Sequence, residues 1–264
     1  MVNYSMVLPI FKTHYSIGKS ILTLKPKSKV DKGGADSVID IALDAGLKEV
    51  ILIEDTMHGF LEAKRNCEEA DLKLIFGIRI NIHQKSKEDD KDKEKNKKPV
   101  IETYKVVIMA KNDDGIKQLY KIYSTIHCDH DGKITQENLM KIWDKENLMM
   151  VIPFYDSFLY CNTFNYGTNF MLNTDFFKPL FFIESNGLPF DTLFKKEIET
   201  YAKTFECPTQ KVKSIYYRNR SDFPAFQTYK MIANRAFGKD LSIQSPNLEN
   251  CGSDEFCMES WLEL

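Results

Sequence analysis

The feature that most constrains this fold is the alternation of apolar runs with helically patterned segments over residues 6–126. The run "EVILIE" (49–54) is continuously apolar, which is typical of a parallel strand buried on both faces. The segment before it, residues 34–47, carries apolar side chains at helical spacing and has Gly46 near its end. Further strands are predicted over 6–11, 73–82 and 104–111, and further helices over 60–72 and 113–126. This rhythm predicts an α/β domain built on a parallel sheet, closed or open, with functional residues at the carboxyl ends of its strands.

Composition narrows the class of protein. The chain has 264 residues, of which 43% are hydrophobic, so it can bury a full core. A formal charge of −2 gives no general attraction to nucleic acid, so any DNA contact needs a local patch. The six cysteines form no C-x-x-C pair, no signal peptide precedes them, and no apolar run reaches the roughly 20 residues of a membrane span. We therefore expect a cytoplasmic protein, in a host cytoplasm if its source is a phage, with reduced thiols.

Three segments interrupt or follow the alternation. Residues 84–98 are rich in lysine and acidic residues of nearly balanced charge, and we expect a disordered, solvated insertion at the tip of a hairpin. Residues 160–178 are rich in aromatic residues and asparagine and are predicted to be irregular. Residues 223–237 show the pattern of an amphipathic helix.

The stretch "HCDHDGKITQEN" (127–138) resembles two kinds of metal site. A calcium loop with Gly132 at its sixth position would have His127 at the first and Asn138 at the twelfth, where carboxylates are needed. A zinc site would need a second pair of ligands at usable spacing, which the sequence lacks. We interpret the stretch as a turn and a helix whose N-terminus is capped by Thr135.

Several polar residues stand at the ends of predicted strands. His14 follows the first strand, Glu54 and Asp55 end the second, and Arg79 lies late in the third. Because carboxyl ends of strands in a barrel meet at one rim, we expect these side chains to converge. No phosphate-binding loop, dinucleotide-binding, nucleophile-elbow or H-E-x-x-H motif accompanies them.

Six short segments carry a resemblance to a known family. They are "FKTHYS" (11–16), "LIEDTMHG" (52–59), "KLIFGIR" (73–79), residues 104–119 with Ala110-Lys111-Asn112 and Gly115, "VKSIYY" (212–217), and "SDEFCMES" (253–260). In order and spacing they resemble the PHP (polymerase and histidinol phosphatase) domain that opens the α subunit of bacterial DNA polymerase III. The resemblance implies an α/β fold, a distorted (β/α)7 TIM-like barrel of the PHP type. It also implies one barrel domain over residues 1–250, followed by a junction at 251–264 toward a polymerase palm.

The same resemblance implies that the metal-binding positions of the family have changed here. Only one ligand is kept, His14. The other positions hold Lys12, Ile53, Glu54, Arg79, Tyr104, Ser214 and Tyr216. A multinuclear site needs several anionic or imidazole ligands, and added cations repel metal ions. We therefore expect a degenerate site with no catalytic residues, no bound metal and no other cofactor. In it, Lys12 or Arg79 would lie near Glu54, and Tyr104 and Tyr216 would fill volume and donate hydrogen bonds.

The resemblance suggests a scaffold as the leading function. The palm carboxylates of nucleotidyl transfer are absent, so we expect this polypeptide alone not to be an enzyme. It would be part of a replicative polymerase, from a split phage gene or a truncated chain, and would dock a palm-and-fingers chain and also a proofreading exonuclease. The expected contact residues are Phe256, Met258 and Trp261, which alternatively cover the base of the barrel itself.

Two other functions stay open. One is an active PHP phosphoesterase or 3′–5′ exonuclease with a rearranged metal set. The other is a decoy that binds the replication machinery of a host. The sequence does not identify the partner chain.

Overall fold

The protein is a closed barrel of seven strands surrounded by helices, in a computed structural model that describes residues 6–30, 33–83, 103–164, 170–235 and 252–264. The strands are β1 (Leu8–Phe11), β2 (Glu49–Glu54), β3 (Lys73–His83), β4 (Tyr104–Ala110), β5 (Ile134–Thr135), β6 (Leu148–Ile152), β7 (Leu180–Ile183) and β8 (Thr209–Ile215). The helices are α1 (Val38–Asp44), α2 (Phe60–Glu69), α3 (Asp113–Asp129), α4 (Gln136–Lys141), α5 (Phe158–Phe164), α6 (Thr174–Phe177), α7 (Asp191–Thr204), α8 (Phe223–Arg235) and α9 (Met258–Leu262). The predicted α/β barrel is thus confirmed.

The ring closes through seven strand pairs. Its order is β1-β2-β3-β4-β6-β7-β8, with β8 returning to β1, while the short β5 adds to the free end of β3. All neighbours in the ring are parallel except those of β4, which is antiparallel to both β3 and β6. The parallel sheet that the strand–helix rhythm predicts is thus interrupted at β4. The antiparallel pairing of β3 with β4, which are consecutive strands, agrees with the hairpin expected between them. The charged insertion expected at its tip lies outside the described residues.

Two apolar layers follow from the alternation of side chains along each strand. Residues such as Ile51 and Ile53 fill the barrel interior, and the residues between them, Val50 and Leu52, pack beneath the outer helices. Both layers of β2 are buried, as the continuous apolar run predicted.

Local capping explains where several helices begin. Ser37, Asn112 and Thr135 each accept a hydrogen bond from a backbone N–H in the first turn of α1, α3 and α4. The cap at Thr135 confirms the interpretation of residues 127–138 as a turn and a helix. At the start of α3, a side chain at Gly115 would place its Cβ 2.3 Å from the carbonyl oxygen of Asn147. This close approach gives a physical reason for glycine at this position.

The prediction of an irregular segment over 160–178 was wrong in part. It contains most of α5 and all of α6, and residues 165–169 between them lie outside the described structure. The aromatic side chains that disguised the helical pattern pack into the outer core, where Tyr160 and Phe164 contact Phe194. Tertiary packing of large rings thus stabilises helices that local periodicity did not reveal.

The C-terminal segment 252–264 packs on the barrel as part of its core. Phe256 is fully buried, and its carbonyl oxygen accepts a hydrogen bond from the backbone N–H of Tyr216 at 2.9 Å. Met258 is also buried, and the indole of Trp261 donates to the carbonyl oxygen of Val7 at 2.9 Å. The expectation that Phe256 and Met258 are surface anchors for a partner is therefore corrected, because both fill the chain's own core.

No helix in the described ranges is both long and apolar enough to cross a membrane.

Candidate functional site

The strand ends meet at a mouth of the barrel, and a small cavity of about 50 Å³ opens there. Its floor is the apolar barrel interior, and its wall is polar and charged. The lining residues are Ile10, Lys12, Ile53, Arg79, Val107, Pro153, Tyr155, Asp156, Phe182, Glu184, Ser214 and Tyr216. Residues from six of the strand ends and from the loop after β6 thus form one site, as the position of the polar residues in the sequence predicted.

Lys12 directly follows β1 and forms a buried ion pair at this mouth. Its Nζ donates to Asp55 Oδ1 at 2.8 Å, and only 6% of the Lys12 side chain is exposed. Burial alone would raise the pKa of Asp55, but the ammonium of Lys12 and then the guanidinium of Arg79 hold that pKa well below its usual value. Burial lowers the pKa of Lys12 in turn, and the carboxylate of Asp55 opposes that shift.

Glu54 ends β2 beside this pair and is bonded differently from the prediction. Its Oε1 accepts from the backbone N–H of Thr13 at 2.9 Å and from the Thr13 hydroxyl at 2.6 Å, and its Oε2 accepts from the Ser16 hydroxyl. The hydroxyl of Ser16 in turn accepts from the backbone N–H of Asp55 at 2.9 Å. Burial raises the pKa of Glu54 to about 7, although these donors and Lys12 oppose the shift. Glu54 thus shapes the loop after β1. Lys12 lies near enough to oppose the rise in its pKa, as expected, but forms its salt bridge with Asp55.

Arg79 forms the second ion pair of the mouth. Its Nη2 donates to Asp156 Oδ2 at 2.5 Å, and 10% of the arginine side chain is exposed. Burial would raise the pKa of Asp156, but Arg79 and then Lys19 lower it. The Nε of Arg79 is buried and has no hydrogen-bond acceptor among the described residues.

A fourth carboxyl group, Glu184, lies after β7 in a network of neutral donors. Ser214 donates to it through its hydroxyl at 2.9 Å and its backbone N–H at 3.2 Å, and Asn186 Nδ2 donates at 2.9 Å. The same Nδ2 donates to the Tyr155 hydroxyl at 3.0 Å, and that hydroxyl donates to Asp191. Burial raises the pKa of Glu184 despite these donors. The network holds the side of the mouth formed by β7 and β8.

Two further lysines add positive charge at the mouth. Lys105 lies at the mouth end of β4, and burial followed by repulsion from Arg79 lowers its pKa to about 8. Lys19, in the loop after β1, acts electrostatically on Lys105, Asp55 and Asp156. Neither lysine forms a salt bridge within the described ranges.

The remaining predicted site residues divide into two groups. Tyr216 lines the cavity and stacks on Phe256 with their ring centroids 5.4 Å apart, so its volume-filling role at the mouth agrees with the prediction. Tyr104 instead stacks on Phe170 in the outer layer of the core, so its predicted place in the site was wrong. His14 is exposed and does not line the cavity; its Nδ1 lies 3.3 Å from the carbonyl oxygen of Leu22.

The sequence analysis missed two charged residues of the mouth, Asp156 and Glu184, and the pairing of a third, Asp55. Asp55 was recognised as a rim residue but not as the partner of Lys12. Glu184 had a usable signal, because it directly follows the apolar strand "LFFI". Asp156 had a weaker one, since it stands four residues beyond the end of β6 and reaches the mouth only through the conformation of its loop.

The donor set of the mouth does not fit a metal cluster. Asp55 and Asp156 are paired with Lys12 and Arg79, Glu54 accepts from Thr13 and Ser16, and Glu184 accepts from Ser214 and Asn186. In the part of the chain that the structure describes, no group of three His, Cys, Asp or Glu side chains could hold an ion. Among these described residues, His127 and His130, which were considered above for a zinc site, belong to no such group. Cations of the protein thus stand where a multinuclear centre would require ligands.

Comparison with known proteins identifies the family. Among curated protein sequences, none matches this chain. A family model, described as the PHP domain, matches residues 32–208. This match covers about two thirds of the chain, including β2 to β7, with Arg79 on β3, and the loops that carry Asp55, Asp156 and Glu184. Together with the closed mixed barrel, it shows that the chain belongs to the PHP domain family.

Proposed function

We propose that this PHP domain is catalytically silent and serves as a scaffold in a replicative DNA polymerase of the DNA polymerase III α type. In this role it docks a palm-and-fingers chain and also a proofreading exonuclease. The resemblance of the segments 52–59, 73–79 and 253–260 to the polymerase form of the domain supports the choice of partner. A phage source is part of the same proposal.

The observation that carries the proposal is the pair of salt bridges at the mouth. Lys12–Asp55 and Arg79–Asp156 join side chains that are mostly buried, at 2.8 and 2.5 Å. A phosphoesterase centre needs unpaired carboxylates or imidazoles to hold its cations. To recruit Asp55 or Asp156 for this purpose, an ion would have to displace a permanent positive charge and leave it buried without a partner. The site is therefore better suited to structural stability than to metal-dependent hydrolysis.

The proposed absence of a bound metal predicts how the protein responds to chelators. We expect purified protein to contain far less than one equivalent of zinc, manganese or iron by elemental analysis. The melting temperature should be the same with and without EDTA, because no ion is linked to folding by mass action. The control is a titration with added Mn²⁺ or Zn²⁺, which should neither raise the melting temperature nor produce phosphoesterase activity. A stoichiometric ion, or a melt that EDTA lowers, would instead support the active enzyme with a rearranged metal set.

The scaffold function predicts co-purification with polymerase parts. The palm-and-fingers chain encoded in the same genome should bind the full-length protein, and Leu262→Asp with Leu264→Asp should weaken this binding. Leu262 and Leu264 are 62% and 75% exposed. These two leucines therefore offer an apolar contact that does not belong to the core. Leu61→Asp on α2, where the leucine is 70% exposed, is the matched control and should leave binding unchanged. Capture of host replication proteins in place of the cognate chain would favour the decoy function, and capture of neither would refute the scaffold.

A further inference from the structure

The outer face of β8 differs in polarity from that of β2. Val212 belongs to the apolar filling of the barrel and Ser214 lines the mouth. Lys211 and Lys213 alternate with them along β8 and therefore point outward. On β2 the outward positions hold apolar side chains packed beneath helices. A polar ligand, rather than an apolar helix, suits the part of the barrel wall that the two lysines form.

A groove of about 550 Å³ lies over these two lysines. Its walls come from β8, the loop after β7, α7 and the segment 252–264, and it shares only Glu184 with the cavity at the mouth. Its volume falls within the range of roughly 300–1,000 Å³ that is usual for ligand pockets. The groove is therefore large enough for a short stretch of peptide.

Lys213 lines this groove, although only 2% of its side chain is exposed. Its Nζ donates to the carbonyl oxygen of Ser185 at 3.2 Å and to Glu255 Oε2 at 3.2 Å. An ammonium group has three N–H donors, so one donor of Lys213 has no acceptor among the residues that the structure describes. A buried donor without an acceptor is costly, and an acceptor supplied by a ligand would remove that cost.

The acids of the groove are already paired. Glu255 accepts from Lys213 and also from Arg220 Nη2 at 3.0 Å. Glu263 accepts two hydrogen bonds from Arg220, each at 2.6 Å. Glu184 is held by the neutral donors described at the mouth. None of these three carboxylates is left to neutralise a further lysine.

Two other lysines give the groove a surplus of positive charge. Lys211 is exposed and forms no salt bridge within the described ranges. Lys195 on α7 approaches Glu199 only to 3.9 Å, and because both side chains are about half exposed, this pair holds the lysine weakly. The groove therefore favours a ligand that carries negative charge.

The spacing of the lysines on β8 suits an extended peptide. Lys211 and Lys213 are two residues apart on one strand, so their Cα atoms are separated by about 6.5–7 Å. Two carboxylates that are two residues apart on an extended peptide point to the same side and have the same spacing. Each could therefore reach one of the two ammonium groups.

The lining of the groove favours a peptide over a nucleic acid. Val7, Ile183 and Leu264 give it an apolar wall, and Leu264 is 75% exposed. An acidic peptide offers carboxylates for the lysines and apolar side chains for this wall. The repeated charge of a nucleic acid would instead be repelled by Glu255 and Glu263.

We propose that this groove binds an extended acidic segment of a partner protein. One carboxylate of the segment accepts from the third donor of Lys213, and a second carboxylate, two residues along, pairs with Lys211. Lys195 adds positive charge from α7, and Leu264 packs on an apolar side chain of the segment. The proposal goes beyond the scaffold function, because the groove binds such a segment whichever protein supplies it.

Fluorescence anisotropy with a labelled peptide, Val-Glu-Leu-Glu-Val, tests the groove. The full-length protein at low salt should bind this peptide at one saturable site. The isomer Val-Glu-Glu-Leu-Val has the same composition and charge, but its neighbouring carboxylates face opposite sides of an extended chain. It should bind about tenfold more weakly, because it can form only one of the two charge-assisted hydrogen bonds.

Substitutions in the groove should lower the affinity for the first peptide. Lys211→Gln should weaken binding about tenfold, because it removes a charge-assisted hydrogen bond, while Lys211→Arg should retain most of the affinity. Lys195→Gln should weaken binding about threefold, since its ammonium is more exposed than a direct partner. Lys196→Gln is the matched control and should bind like the original protein, because Lys196 is an exposed neighbour on α7 that does not line the groove.

Three results would overturn this inference: no saturable binding of the first peptide, equal binding of the two isomers, or an unchanged affinity in Lys211→Gln. Displacement of the peptide by an equal concentration of a single-stranded thymidine oligonucleotide would also overturn it, in favour of a nucleic-acid site. All four results leave the scaffold function intact. Binding of the peptide by a protein that captures no polymerase chain would support the groove and refute the scaffold.

Discussion

Phe256→Ala is expected to lower the free energy of unfolding by about 3–5 kcal/mol, the cost of truncating a large aromatic side chain in a packed core. Phe256 is fully buried and stacks on Tyr216, whose ring centroid lies 5.4 Å away, and it also contacts Tyr155. Its loss would leave a cavity beside the mouth and loosen the segment 252–264. Urea unfolding followed by tryptophan fluorescence would measure the change.

Leu262→Ala is the control for this experiment. Leu262 lies on α9 of the same segment but is 62% exposed, so its truncation should change stability by less than about 0.5 kcal/mol. If Phe256→Ala had an equally small effect, the segment would not be part of the barrel core. The expectation that Phe256 contacts a partner chain would then regain support.

Lys12→Met is expected to destabilise the protein by about 2–4 kcal/mol, because it leaves the carboxylate of Asp55 at the mouth without its cation. This loss of stability is smaller than the one expected for a fully buried pair, because the Asp55 side chain is 31% exposed and keeps some hydration. Chemical unfolding at pH 7 would measure the loss. Adding Asp55→Leu to Lys12→Met should recover most of it, since the unpaired charge is then removed.

An exposed ion pair provides the matched control. Lys117 and Asp114 on α3 are bonded at 2.7 Å, as closely as Lys12 and Asp55, but their side chains are 78% and 68% exposed. Lys117→Met should therefore cost less than about 0.5 kcal/mol. An equal effect at both lysines, or a double variant no more stable than Lys12→Met, would show that the mouth pair does not contribute through burial of charge.

At the mouth, local sequence patterns predict where the charged residues stand but not which residues they pair with. The presence of Lys12, Glu54 and Arg79 at strand ends follows from local patterns, because apolar runs mark where each strand stops. The choice of partner does not. Lys12 and Asp55 are separated by 43 residues and Arg79 and Asp156 by 77, and Glu54 stands next to Asp55 with the same charge. The pairing of β1 with β2 and the conformation of the loops that follow them decide which of the two adjacent acids faces the cation.

The sequence by itself determined the features that depend on neighbours along the chain. The strand–helix alternation, the caps at Ser37, Asn112 and Thr135, and the charged positions at the strand ends arise from periodicity and from hydrogen bonds within a few residues. Tertiary structure alone decided the burial of Phe256 and the exclusion of Tyr104 from the mouth. These depend on contacts between distant segments, whose free energy comes from burying apolar surface and pairing charges in three dimensions rather than from local preference.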